Sequence, residues 1–302
     1  MTDELRKRIL EKKRALDKLR PFNKGALHKL QETFRVDMTY NSNAIEGNSL
    51  SLSETKLVIE EGITIGGKTL KEHLEATNHS SAINFIESLI KKPRIEEIDV
   101  LNIHAIILDR IDSQNAGFYR RGAVRISGTN YLPPNSIKVP DLMKEVYLLL
   151  NLKGDVIKRA SKIHQKFVDI HPFVDGNGRT ARLLLNLYLM RNDYPPVIIL
   201  KVERKKYIST IMQSRETKSI EFFANFIVRS IERSLDIYLD SVGTESKEYF
   251  TLGEAAKISK NNYSQEYLSL LARTGKIEAV KFGRNWKITK EALKEYEKNH
   301  EK

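Results

Sequence analysis

One short segment, from His171 to Arg182, brings together the side chains that a phosphate-transfer site requires. Its sequence is HPFVDGNGRTAR. Histidine is the side chain whose pKa lies nearest neutral pH, so His171 is suited to act as a general base. Asp175 offers the hard carboxylate oxygen that Mg²⁺ prefers, and Mg²⁺ would bridge phosphate oxygens. These residue types predict a polyphosphate site with a proton acceptor beside it.

The second half of this segment predicts an anion-binding turn at the start of a helix. Its Gly-Asn-Gly turn lets the backbone approach a phosphate closely, and the asparagine adds a side-chain donor. The two arginines are three positions apart and can share one helix face. An apolar run follows, which predicts a buried helix over 177–191 whose first N–H groups favour an anion. We expect five residues to bind phosphate: Gly176, Asn177, Gly178, Arg179 and Arg182.

Two other interpretations of the segment stay open. A metal hydrolase could be built on His164, His171 and Asp175. A purely structural loop is the second alternative, although so many polar groups are costly to bury when nothing binds them.

The helices that must hold this segment are indicated by apolar residues at helical spacing before and after it. Over residues 36–62, Ser42 and Glu46 are four positions apart and share a helix face, and Gly47 is a good helix stop. Ser51 or Ser53 could cap the next helix. From this pattern alone, Glu46 is a surface carboxylate.

Residues 117–139 break the helical pattern. Alternating Val124 and Ile126, the turn at 128–130 and a Pro-Pro pair predict a small hairpin or flap. An exposed hairpin edge can accept another chain as an added strand. An ordinary connecting hairpin is the alternative.

The last 52 residues predict a separate unit. The order is helix, turn, helix, β-ribbon and helix, which is the layout of a winged helix-turn-helix. Its predicted recognition helix exposes Gln265, Tyr267 and Ser269 and is poor in cations. The ribbon supplies Lys281, Arg284 and Lys287, which suit phosphate contacts. DNA and a protein surface both remain candidate partners.

Composition limits the remaining classes. The chain has 302 residues, 40% hydrophobic and 30% charged, enough to bury a core and too apolar for a disordered chain. It has no cysteine and no run near the roughly 20 apolar residues of a membrane span, so we expect a soluble cytoplasmic protein. The net charge of +12 is concentrated at the two ends, which suggests either nucleic acid or solvated lysine-rich helices.

HPFVDGNGRTAR resembles the signature of the Fic family, HxFx[D/E]GNGRxxR, at every specified position, and the likeness spans roughly 100–230. The resemblance implies transfer of AMP from ATP to a hydroxyl of a target protein. It implies that His171 is the base and that Asp175 holds Mg²⁺. The glycine turn would bind the α- and β-phosphates, and Arg179 and Arg182 the β- and γ-phosphates. The 124–139 hairpin resembles the family's flap, which docks the target as a strand, here through Ile126, Gly128, Thr129, Asn130 and Tyr131.

Ser42, Glu46 and Gly47 resemble the family's inhibitory motif, [S/T]xxxE[G/N], which in one class lies before the core. The resemblance implies that Glu46 pairs with Arg182 and occupies the space of the γ-phosphate. ATP would then bind only in a non-productive pose. In some relatives the same glutamate supports removal of AMP, so the reverse reaction stays open.

These observations predict a mainly α protein: a Fic-type helical bundle with a β-hairpin flap and a C-terminal winged helix-turn-helix. We expect an N-terminal helical region at 1–95, a catalytic core at 96–240 and the winged unit at 250–302. The predicted function is a protein adenylyltransferase inhibited by Glu46, with ATP, Mg²⁺ and a target protein, which could be the chain itself, as partners. DNA binding through 250–302 and a homodimer are open partner predictions. A DNA-binding regulator that uses the nucleotide site as a sensor, and an enzyme that also removes AMP, are the alternatives.

Overall fold

A computed structural model of the chain describes residues 3–126, 129–242, 249–282 and 285–300. The chain divides into two compact units, Met1–Gly243 and Thr244–Lys302. The first unit is helical, and its helices are α1 Asp3–Lys18, α2 Lys24–Ile45, α3 Leu52–Lys56, α4 Leu70–Ser88, α5 Glu97–Ile107, α6 Val139–Asn151, α7 Val156–Ile170, α8 Asn177–Arg191, α9 Arg204–Glu216 and α10 Glu221–Val242. A π-helical turn at Leu57–Glu61 and 3₁₀ turns at Ser136–Lys138 and Lys201–Glu203 connect them.

The core of the first unit is built around α8. Its residues from Arg179 to Leu189 are buried on every side, as expected of a helix with an almost continuous apolar run. Helices α4, α5 and α7 pack against it. The predicted limits of this helix, 177 and 191, are confirmed. A fixed α8 places the loop before it, residues 171–176, on a rigid support.

The basic N-terminal helix, α1, packs into the core of the first unit. Ile9 and Leu16 are fully buried in the core, and α1 packs along α10. Lys12 Nζ lies 3.0 Å from Glu232 Oε1 and 2.7 Å from Asp236 Oδ1. Helix α1 is therefore an amphipathic helix docked on the rest of the first unit.

A tight turn separates α9 from α10. Lys218 has a positive φ of 52°, which ends α9. The Ser214 hydroxyl accepts the backbone N–H of Phe223 at 2.9 Å, which starts α10. No glycine or proline marks this turn in the sequence.

The flap segment differs from the predicted hairpin. Its described residues, 123–126 and 129–135, form no strand. Pro133 and Pro134 have no N–H to give to a ladder. Instead, the buried Arg120 donates to the carbonyls of Gly122 at 2.8 Å and Pro134 at 2.5 Å and so holds the two ends of the segment together. Gly128 lies outside the described residues.

The second unit has its own small core and sheet. Its elements are β1 Tyr249–Thr251, α11 Leu252–Ile258, α12 Gln265–Arg273, β2 Val280–Phe282, β3 Asn285–Thr289 and α13 Lys290–Asn299. The strand order is β1-β3-β2, and both pairings are antiparallel. Leu268 and Ile288 are fully buried in its core. Glu297 accepts the Ser259 hydroxyl and the Lys260 N–H, both at 2.8 Å, and so fixes the turn between α11 and α12.

Within the described ranges, no helix is both long and apolar enough to cross a bilayer. One hydrophobic core joins helices from both sides of residue 95. The predicted division of the first unit into 1–95 and 96–240 therefore stays a prediction about roles.

Candidate active site

The loop between α7 and α8 is closed by its own polar groups. His171 ends α7 in a left-handed conformation with φ 50°, which costs free energy and is often found at functional sites. Gly176 precedes α8 with φ 75°, and a Cβ there would come within 3.3 Å of the His104 ring. The Asn177 amide accepts the N–H of Phe173 at 3.0 Å and donates to its carbonyl at 2.9 Å. The Asn177 side chain therefore shapes the loop, which leaves its backbone N–H as the group that a phosphate could use.

The hydrogen bond of His171 defines its tautomer. Nδ1 lies 3.4 Å from the carbonyl oxygen of Val168. A carbonyl only accepts, so Nδ1 carries the proton and Nε2 keeps a free lone pair. Burial lowers the pKa of His171, and the backbone carbonyl only partly opposes this effect. The ring is therefore a neutral base at pH 7.

His104 supports the loop from below and was not predicted as a site residue. Its Nε2 lies 3.0 Å from the Asp175 carbonyl, and its Nδ1 accepts the N–H of Gly117 at 3.0 Å. The ring stacks on Phe173 at 3.6 Å and 3°, and burial lowers its pKa to about 4. A lone histidine in an apolar helical stretch gave no sequence signal for this contact, which is 71 residues distant.

The start of α8 forms an anion cradle. Arg179 and Arg182 are buried to 2% and 5% exposure. Among the described residues, Nε and Nη1 of Arg179 and Nη1 of Arg182 have no hydrogen-bond partner. Glu75 Oε1 lies 3.1 Å from Arg179 Nη1, but without hydrogen-bond alignment. Buried donors left in this state indicate that an anion completes the site.

Asp175 is placed where it could hold a metal ion. Its side chain is 53% exposed, and Oδ2 lies 3.6 Å from Arg179 Nη2. The Gly176 N–H donates to Oδ1 at 2.6 Å and orients the carboxylate. The described residues contain no cluster of three or more His, Asp or Glu for a metal. One carboxylate together with phosphate oxygens and water is, however, the usual set for Mg²⁺, so the residues present fit this ion.

Glu46 reaches the anion cradle from α2. Its Oε1 lies 2.7 Å from Arg182 Nη2. Ser42, one turn earlier, accepts from Arg182 Nε at its hydroxyl at 2.9 Å and from Nη2 at its carbonyl at 2.8 Å. Burial alone would lower the pKa of Arg182, but Glu46 and Tyr207 hold it above its usual value. A Cβ on Gly178 would lie only 2.2 Å from Glu46 Oε1, so the carboxylate fills the space above that glycine.

The end of α2 is fixed by its flanking residues. Arg204 Nε donates to the Ile45 carbonyl at 2.7 Å, and Gly47 follows Glu46 with φ 106°, which stops the helix as predicted. Ser51 caps α3 through a capping box with Glu54. Because backbone and side chain are both held, Glu46 is a defined element of the site and no longer an isolated surface carboxylate.

A cavity of about 320 Å³ opens over these groups. It joins the base, the metal-binding candidate and the anion cradle with one apolar wall. Its lining includes His171, Asp175, Gly176, Asn177, Gly178, Arg179, Arg182, Glu46, Ile208, Ile211 and Met212. The volume and the mixed lining suit a nucleotide.

The predicted docking residues of the flap lie in different environments. Ile126 and Thr129 line the cavity. Asn130 is exposed, and the Tyr131 hydroxyl donates to the Asp169 carbonyl at 3.0 Å. The structure thus brings part of the predicted docking set to the mouth of the cavity.

Two further patterns have structural explanations. His164 Nε2 bonds the Tyr207 hydroxyl at 2.8 Å, and burial lowers its pKa to about 3, so it forms no ligand set with His171 and Asp175. Residues 62–69, GITIGGKT, fit the phosphate-loop pattern GxxxxGK[ST]. Lys68 there donates to the Ser49 carbonyl at 2.8 Å, and a π-helical turn replaces the strand that such a loop requires.

Comparison with known proteins identifies one family. The Fic/DOC family pattern matches residues 94–189. Protein adenylyltransferase Fic of Drosophila melanogaster is 37% identical over 243 residues, which are 78% of this chain and 49% of that protein. The chain thus spans about half the length of the curated relatives it matches.

Two solved structures extend the likeness to the fold. A Fic domain containing signaling protein from Bacteroides thetaiotaomicron VPI-5482 superposes with a TM-score of 0.73 at 26% identity, over 79% of this chain and 97% of that one. A fragment of Fic-1 from C. elegans superposes with a TM-score of 0.71 at 32% identity, over 80% and 74%.

Proposed function

The chain belongs to the Fic family, and from this premise we propose that it is a protein adenylyltransferase, which transfers AMP from ATP to a hydroxyl of a target protein. The observation that carries the proposal is the set of buried N–H groups of Arg179 and Arg182 that make no hydrogen bond to any described residue, together with the unprotonated Nε2 of His171. A cradle for a polyphosphate and a neutral base line the same cavity.

The reaction needs one proton acceptor and one departing group. The acceptor hydroxyl gives its proton to Nε2 of His171 as its oxygen attacks the α-phosphorus of ATP. The bond from the α-phosphorus to the bridging oxygen breaks, and diphosphate leaves. The start of α8 and the two arginines stabilise the charge that develops on the departing phosphates.

Mg²⁺ fits this site through Asp175. The ion would neutralise phosphate charge and polarise the α-phosphate when bound. The chain's own contribution is to hold Asp175 in place, and the His104 contact to its carbonyl and the Gly176 contact to its carboxylate do so. Gly178, which has no side chain, leaves room for a phosphate over the first turn of α8.

Glu46 is the proposed brake. Its carboxylate takes the Arg182 donor that a terminal phosphate would use, and it fills the space above Gly178. ATP could then enter only with its phosphates displaced from line with the incoming hydroxyl. Ser42 and Gly47 act as support, the first by bonding Arg182 and the second by ending the helix.

For the second unit we propose a winged helix-turn-helix that targets the enzyme. The order of its helices and strands supports this class, and DNA remains the first partner to test. A salt-dependent mobility shift of duplex DNA by the full chain, absent from a chain ending at residue 243, would support it. No shift at low salt would favour a protein partner. A homodimer and a cytoplasmic location remain predictions.

The deciding experiment follows α-labelled ATP. Label should appear on protein with the wild-type chain or its Glu46→Gly variant and not with His171→Ala. Equal labelling of all three would reject the mechanism. Nucleotide binding without any transfer would favour the alternative of a sensor in a DNA-binding regulator. Release of AMP from labelled protein by the wild type alone would favour the enzyme that also removes AMP.

A further inference from the structure

The flap segment is fixed at a second point besides Arg120. The Tyr131 hydroxyl donates to the Asp169 carbonyl at 3.0 Å. The guanidinium carbon of Arg215 lies 3.7 Å from the centre of the Tyr131 ring, which is a cation–π contact. Asp169 is two positions before His171, so this attachment ends beside the proposed base.

Tyr131, Asp169 and Arg215 form one connected cluster, here called the flap clamp. Nε and Nη2 of Arg215 both donate to Oδ1 of Asp169, at 2.8 and 2.6 Å. Gln165, one turn earlier in α7, donates to both carboxylate oxygens at 3.0 and 3.2 Å. The Arg215 and Asp169 side chains are only 17% and 25% exposed. Such a partly buried, multiply bonded pair is more fixed than an ordinary surface pair.

Arg120 and the flap clamp both connect the flap segment to the backbone beside His171. Arg120 donates from Nε to the His171 carbonyl at 2.8 Å and from Nη2 to the Pro134 carbonyl. The flap clamp holds Tyr131, three residues before Pro134, to α7 and α9. The described flap residues are thus held relative to His171 at both points.

We propose that Tyr131, Asp169 and Arg215 are positioning residues that set the place of the target's acceptor hydroxyl relative to His171. This inference rests on the proposed function. Thr129, two residues before Tyr131, lines the same cavity as His171, so a chain docked along this part of the flap takes its position from the clamp.

Water provides an internal comparison. When water replaces the acceptor, its oxygen attacks the α-phosphorus, diphosphate leaves and the proton goes to the same base. This hydrolysis needs no docked chain, whereas transfer to protein depends on alignment. A weakened clamp therefore lowers the ratio of protein-bound AMP to free AMP.

The test uses the Glu46→Gly chain as parent. Two variants weaken the clamp, Tyr131→Phe and Arg215→Met, and Arg215→Lys keeps a charge beside Asp169. Two matched controls, Tyr188→Phe and Arg233→Met, remove the same kinds of contact elsewhere. In the parent, the Tyr188 hydroxyl donates to the Leu152 carbonyl at 2.9 Å, and Arg233 pairs with Glu203 at 3.0 Å.

We expect Tyr131→Phe to lower the ratio of protein-bound to free AMP about fivefold, the size expected for one hydrogen bond. Arg215→Met should lower it by about tenfold, since it removes a charge pair and a ring contact. Arg215→Lys should fall between this variant and the parent. Neither control should change the ratio. Equal ratios in clamp variants and controls would overturn the proposal.

A second measurement does not depend on catalysis. Amide hydrogen exchange over residues 129–135 should be faster in Tyr131→Phe than in Tyr188→Phe. If exchange is the same in both, the clamp does not hold the flap and the proposal fails. The parent could form neither protein-bound nor free AMP while hydrogen exchange over 129–135 is still faster in Tyr131→Phe. In that case the proposed function fails, and the clamp stands as a purely structural device. If Arg215→Met does not fold, Tyr131→Phe decides.

Discussion

Replacing Glu46 tests the proposed brake most directly. The contact of Glu46 with Arg182 is a charge-assisted hydrogen bond of 2.7 Å, a kind worth about 1.5–3 kcal/mol. The Glu46 side chain is 39% exposed, so solvent screening favours the lower end, about 1.5 kcal/mol. Because about 1.4 kcal/mol corresponds to a factor of ten, loss of the contact alone should raise AMP transfer about tenfold.

The volume of Glu46 adds to this effect. Its Oε1 would lie 2.2 Å from a Cβ on Gly178, well inside the 3.0 Å that real Cβ atoms essentially always keep from other heavy atoms. A phosphate oxygen cannot share that space. We therefore expect Glu46→Gly to exceed tenfold, and Glu46→Gln, which keeps the volume and removes the charge, to give a smaller increase.

The assay measures label on protein from α-labelled ATP at saturating Mg²⁺. Glu60→Gly is the matched control, since Glu60 is an exposed carboxylate outside the site that pairs with Lys56 at 3.8 Å. Activation by Glu60→Gly as large as by Glu46→Gly would show that Glu46 is no specific brake and that the substitution only loosens the fold. A Glu46→Gln variant as active as Glu46→Gly would show that the volume of the Glu46 side chain does not contribute to inhibition.

Three further outcomes follow from the same contacts. Gly178→Ala should abolish ATP binding, measured by calorimetry, even in a Glu46→Gly chain, because its methyl group fills the phosphate space; normal binding would contradict the cradle. Because burial lowers the pKa of His171 below its usual 6.5, the neutral base persists at pH 7, and transfer should fall only as pH drops below 6.5; a loss on raising pH from 7 to 8 would contradict the role of a base. His104, with a pKa of about 4, stays neutral in the fold and gains a proton on unfolding below pH 6.5, so its own contribution should lower the free energy of unfolding by about 1.4 kcal/mol per pH unit between pH 6.5 and 4. In His104→Gln, urea denaturation at several pH values should show that one proton fewer is taken up on unfolding, so the dependence of the unfolding free energy on pH is less steep.

The parts of the site that are contiguous in sequence could be predicted, because local geometry determines them. The Gly-Asn-Gly turn and the apolar run after it predicted the limits of α8, 177 and 191, and the structure has these limits. The contact of Glu46 with Arg182 joins residues 136 positions apart. Spacing carries no information at that distance, and only the family resemblance indicated the pair.

The contacts that sequence reasoning missed are single residues with distant partners. His104 and Arg120 had no place in the sequence-based prediction of the site, yet each bonds the loop that carries His171. The hairpin prediction counted Pro133 and Pro134 as turn residues, but neither proline can donate to a strand ladder. A side chain, Arg120, holds the segment instead of backbone pairing.

The second helix of the chain combines two roles that cannot be separated by deletion. Leu30, Phe34 and Met38 of α2 are buried in the main core, while the last turn of the same helix supports Glu46. Removing the helix would expose the core, so loss of activity in a truncated chain would say nothing about inhibition. Selection faces the same constraint: a lineage that discards the brake must do so by substitution at position 46 or its supports, because the scaffold depends on the helix that carries it.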